Sequence, residues 1–172
     1  MLVALAIAAQ VAAAAPVDTP PPPRPRPQAV EVSEWYERRL TLHRRLSYAT
    51  VPLFAFQYMA GREIWEKGGG APAWARNGHR VGATAIAGVF TANVVTGVWN
   101  YMDSRGVEEG RALRTIHGLS MLAATAGFTW AGAVLSEQAE TDPDKRRLHR
   151  TVALTSIGIT VTSGVLMRVL NR

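Results

Sequence analysis

Four stretches of the chain, residues 46–61, 81–102, 115–136 and 151–167, contain no Asp, Glu, Lys or Arg, and nearly all of the charge lies between or before them. A helix packed on one side only carries polar residues along its outer face at helical spacing. These stretches instead hold only Thr, Ser, Asn and Gln as polar groups, with a single histidine. About 20 apolar residues cross the hydrocarbon core of a bilayer. The second and third stretches reach that length alone. The first and fourth need their flanks, where Arg44, Arg45 and Arg168 can snorkel to the interface. The intervening segments 62–78, 103–114 and 137–147 are short, and short connections join adjacent antiparallel helices. The expected fold is therefore all-α and integral to a membrane: an up-down-up-down four-helix transmembrane bundle within residues 33–172. Ser33 is the expected N-cap, Glu34 and Glu37 suit a first turn, and Pro52 is expected to bend the first helix.

The formal charge of +6 points to lipid head groups rather than nucleic acid, because arginine at the ends of apolar segments is what membrane interfaces select. There is no cysteine, which excludes disulfides, thiolate zinc sites, cysteine-ligated iron–sulfur clusters and covalently attached c-type haem. Residues 1–15 form an Ala-rich apolar run that resembles a secretory signal peptide, although no Lys or Arg precedes it. Residues 16–32 include Pro20 to Pro23, Pro25 and Pro27 and read as a polyproline-type linker. A cleaved signal would leave the N-terminus outside, as in a bacterial inner-membrane protein. The glycines at 68–70 are not followed by Lys-Ser or Lys-Thr, so they form no phosphate loop.

The chain has four histidines, and each stands at the start of a different apolar segment: His43, His79, His117 and His149, spaced 36, 38 and 32 residues apart. An isolated interfacial histidine is ordinarily a solvated residue. One per segment, at the same end of each, is a pattern. Helix direction alternates, so His43 and His117 are expected near one membrane face, and His79 and His149 near the other. Helices one and three are diagonal in such a bundle, as are two and four. Each pair is then placed to supply the two axial ligands of a haem iron. Zinc or di-iron sites of bundle type want carboxylates beside the histidines, and the apolar segments have none.

Other residues on the same faces are candidates for the cofactor sites. Gly61 and Gly97 each follow their histidine by eighteen residues, about five turns, which puts them near the level of the opposite haem. There a flat macrocycle leaves little room for side chains. Gly132 and Gly164, fifteen residues after theirs, are expected to act likewise; ordinary close packing accounts for all four equally well. Gln57 and Asn93 are polar groups suited to a haem propionate, a quinone head group or an interhelical hydrogen bond. Arg44, Arg80 and Arg150 directly follow three of the histidines and suit either propionate pairing or interfacial anchoring.

With one histidine near the start of each of four consecutive helices, and first–third and second–fourth pairing, residues 42–170 resemble the cytochrome b561 family. His43 would match with His117, and His79 with His149. The resemblance implies two non-covalent b-type haems on opposite sides of the membrane and electron transfer between them. The chain differs from the small bacterial cytochromes of that name, whose ligands are shared unevenly among the helices. No segment matches an ascorbate-binding motif, so the donor and acceptor stay open: a redox partner protein or a quinone. Two other readings fit the same residues. One is a haem-free membrane scaffold or assembly subunit; the other is a quinone-linked cytochrome b anchor of a larger oxidoreductase.

Overall fold

Ser33 opens the first helix. Its hydroxyl accepts from the Tyr36 amide at 3.3 Å, and Glu34 and Glu37 lie in the first turn, where their charge complements the helix dipole. The computed structural model describes residues 33–170; the expected signal sequence 1–15 and linker 16–32 lie outside the described residues. Helix α1 spans Glu34–Lys67 and runs without a break through Pro52. It ends where Gly68 takes a positive φ of 53°, a conformation that glycine adopts without a Cβ clash. A single turn, Gly68–Gly70, leads to α2, Ala73–Asp103.

Gly110, at φ 67°, turns the chain into α3, which spans Arg111–Thr141 and contains a π-helical turn at Trp130–Leu135. Arg114 braces the turn before α3 by donating to the carbonyls of Ser104, Val107 and Glu109. Helix α4 spans Pro143–Leu170. Asp142 caps it by accepting from the amides of Asp144 and Lys145, with Pro143 at the first helical position, where its missing N–H costs nothing. All of these helices outrun the charge-free stretches. The connection between α3 and α4 shrinks from the expected 137–147 to Asp142 alone, because charged residues end an apolar span without ending a helix.

No strand occurs among the described residues. Helices α2, α3 and α4 are each long and apolar enough to cross a membrane. Helix α1 is longer still, but its charge-free part is short and includes Ser47, Tyr48, Thr50, Gln57 and Tyr58. The distribution of side chains is inverted relative to a water-soluble protein. Buried positions hold Thr50, Asn93, Thr96, Asn100, Ser156, Thr160 and Ser163, while Val81, Val95, Val98, Leu119, Leu122, Val161, Val165 and Leu166 are exposed. Apolar surface on this scale is unfavourable in water and neutral in lipid, and small and hydroxylated residues are what close membrane-helix contacts select. The chain is an integral membrane protein.

Helix α1 packs chiefly on α2, and α3 chiefly on α4, giving two hairpins joined where α2 meets α3. Within the first hairpin Gln57 and Phe56 fill the space over Gly82 and Gly78: a Cβ on Gly82 would lie 2.6 Å from Gln57 Oε1. Phe54, Ile86 and Phe90 are buried together, flanked by Leu53, Met121, Phe128 and Ile157.

Candidate functional site

The two hairpins bring the histidines together in two pairs. His43 on α1 faces His117 on α3 with ring centroids 6.3 Å apart and planes at 81°. His79 on α2 faces His149 on α4 with centroids 6.2 Å apart and planes at 61°. A metal held between two imidazoles by bonds of about 2.0–2.1 Å, with roughly 1.1 Å from each nitrogen to its ring centre, sets the centroids about 6.3 Å apart. Both pairs match that spacing. Among the described residues no group of three or more His, Cys, Asp or Glu converges. Each pair thus offers two imidazoles with no third candidate ligand among the described residues; a haem would need two from the protein, a bare zinc or di-iron centre more.

The second test is which ring nitrogen is free. His43 Nδ1 lies 3.1 Å from Thr96 Oγ1. The hydroxyl has one proton, and it donates to the Ala92 carbonyl at 2.8 Å. With its proton on that carbonyl the hydroxyl accepts from His43 Nδ1–H, the tautomer in which Nε2 presents a lone pair. His149 reaches the same tautomer by a different partner, the Ala131 carbonyl at 2.9 Å, which can only accept. Ala131 sits in the π-helical turn of α3. His117 Nδ1 lies 2.9 Å from Ser163 Oγ. His79 Nδ1 is buried, with no side-chain partner among the described residues, and lies against the Gln57 main chain. Three of the four rings are thus turned so that Nδ1 meets the companion helix of their own hairpin. The nitrogen left to bind a metal is Nε2, the arrangement in which an outer hydrogen bond fixes a ligand's tautomer and orientation.

Gly61 and Gly97 lie at the level of the histidines on the companion helix, as their spacing implies, and directly behind the rings. A Cβ on Gly97 would stand 3.1 Å from His43 Cε1, and one on Gly61 would stand 3.3 Å from His79 Cε1. They make room for imidazoles. Gly132 and Gly164 do not serve in this way: both are exposed, with nothing within 4 Å of a built Cβ. The residues one step earlier, Ala131 and Ser163, meet the rings instead. Fourteen residues bring a helix to within about 40° of its starting face, while fifteen overshoot it by about 60°.

Gln57 and Asn93 lie in the α1–α2 interface. Asn93 Nδ2 donates to Ser47 Oγ at 3.5 Å, and Gln57 Oε1 and Asn93 Oδ1 are buried without partners. Arg44 is exposed. Arg80 pairs with Glu140 at 3.2 Å on the surface, and Arg150 stacks over Trp65 at 4.6 Å. Of the cationic groups near the first pair, Arg114 braces the turn before α3 and Arg39 is drawn inward against α2. It stands one turn before His43, donates to Asn100 at 3.4 Å, pairs with Asp103 and stacks over Trp99 at 4.6 Å.

No family model, curated protein or solved structure matches the chain.

Between the two pairs stands an aromatic plug. Phe54, Phe90 and Phe128 have ring centroids 5.0–6.1 Å apart, and each follows its helix's histidine by eleven residues. A repeat in the sequence would have revealed the first two. The order His-Arg, Phe, an amide residue and Gly recurs at an offset of 36, as His43, Arg44, Phe54, Gln57, Gly61 and His79, Arg80, Phe90, Asn93, Gly97. No comparable signal marks Thr96, Ala131 or Ser163.

Proposed function

We propose that this protein carries electrons across a membrane, with α1 as a fourth span beside α2, α3 and α4 and with two b-type haems held without covalent attachment. His43 and His117 would hold one, and His79 and His149 the other. The reading places the chain beside the cytochrome b561 family, in a bacterial inner membrane with its N-terminus outward. A redox partner protein or a membrane quinone would serve as donor or acceptor, within a larger complex or transiently. Bound haem supplies a reversible one-electron couple.

The observation that carries the proposal is the repeated pair geometry, 6.3 and 6.2 Å between ring centroids. The chain's own residues prepare these sites. Thr96 and the Ala131 carbonyl hold the Nδ1 protons of one ligand in each pair. Gly61 and Gly97 leave room for the rings behind them. Phe54, Phe90 and Phe128 pack against one another between the pairs.

The test is haem content per chain, with a reduced-minus-oxidised spectrum. The expected result is two haems, both extracted by acidified solvent. His43→Ala and His117→Ala should lose the same haem, and His79→Ala and His149→Ala the other. Colourless protein from haem-replete cells refutes the proposal and favours a haem-free scaffold. Loss of one shared haem in both His43→Ala and His79→Ala refutes the pairing.

A further inference from the structure

The hydrogen bonds behind the four histidines are not equivalent. His43 and His117 are both backed by side-chain hydroxyls, Thr96 at 3.1 Å and Ser163 at 2.9 Å. His149 is backed by the Ala131 carbonyl and His79 by the Gln57 main chain, with no side-chain partner on either Nδ1 among the described residues. Thr96 and Ser163 are more than nine-tenths buried, at 8% and 6% exposure, so water does not replace them readily. They reach their histidines from different helices, α2 and α4, and both serve the same pair.

We infer that Thr96 and Ser163 are positioning residues that tune the His43–His117 site alone. The inference rests on the haem reading above. An acceptor on Nδ1–H makes the imidazole a stronger donor through Nε2 and holds the ring at one rotation; loss of such an outer partner commonly weakens a metal site by 10–100-fold. A more basic axial ligand favours the oxidised metal, so the two hydroxyls lower the potential of this site. The Thr96 hydroxyl has main-chain acceptors for its own proton in Ala92 and Asn93, which leaves its oxygen to accept from His43. Ser163 has no such second bond among the described residues. The inference requires it to accept from His117 too, since a hydroxyl donating to Nδ1 would leave the proton on Nε2 and block ligation. Among the described residues the opposite site has no side chain in either role, so a comparable substitution is not available there.

The experiment is redox potentiometry of the full-length, haem-loaded protein, resolving the two haems by their spectra and assigning them with the His→Ala variants. Thr96→Val keeps the shape and removes the acceptor; Ser163→Ala does the same at the second ligand. Each should shift the one-electron equilibrium of the His43–His117 haem toward the reduced form by up to about tenfold, which is about 59 mV. The other haem should stay where it is. Thr96→Ser, which restores a hydroxyl, should recover most of the wild-type potential. If Thr96→Val instead loses that haem while keeping the other, and Thr96→Ser regains it, the positioning role also holds. Unchanged potentials, or equal shifts of both haems, overturn the inference and leave the haem reading intact. Wild-type protein without haem overturns both.

Discussion

Replacing Gly97 with valine should damage the proposed haem site whose histidines lie on other helices. Gly97 shares α2 with His79, yet the ring behind which it sits is His43 on α1, with 3.1 Å from a built Cβ to Cε1 and 3.6 Å to Nδ1. Ordinary van der Waals contact begins near 3.4 Å, so even the first added carbon demands a shift of a few tenths of an ångström, and valine adds two methyls beyond it. Overpacking of this kind costs about 1–3 kcal/mol. Metal sites tolerate departures of about 0.2 Å in ligand distance, so displacement of the ring falls mainly on ligation. Spread over haem binding, the cost is a loss of about 5-fold to 100-fold in affinity. Gly61→Val should act on the His79 site in the same way and less severely, its contact being 3.3 Å. Gly88→Val is the control, since that position is exposed and has nothing within 4 Å of its Cβ. The assay is titration of haem into apoprotein, following each spectral component. If Gly97→Val weakens the His79–His149 site, or both sites equally, the cross-hairpin geometry is refuted.

Reporter fusions after residues 70, 107 and 141 should place 70 and 141 on one side of the membrane and 107 on the other; 107 and 141 on the same side refutes the four-span arrangement and the pairing with it. Arg39→Ala should lower thermal stability by the equivalent of about 1 kcal/mol, because it strands Asp103 and Asn100 and removes the stack on Trp99; an unchanged melting temperature refutes that role. Gln57→Met should leave stability and haem content nearly unchanged, since it removes a buried oxygen without a partner and keeps the volume; loss of a haem would show that Gln57 belongs to a cofactor site.

The sequence by itself determined that the chain is helical with long apolar segments and that each histidine stands near the start of its own helix; it implied four membrane spans, where three helices are long and apolar enough to be one. Charge segregation and connection length carry that information, and both are local properties of the chain. Helix sense alternates across short connections, so the expected company of each histidine, His43 with His117 and His79 with His149, was also legible. Only the tertiary structure decided which residues stand behind the rings. Each step along a helix turns it by about 100°, so a face assigned from spacing alone misses by a third of a turn if it slips one residue, which is why Ala131 and Ser163 occupy the places expected of Gly132 and Gly164. The tautomers were equally out of reach. They depend on the Thr96 hydroxyl proton pointing to Ala92 and on the Ala131 carbonyl in the π-helical turn facing His149. Those contacts join residues 53 and 18 positions apart, and only the packing of one helix against another sets them.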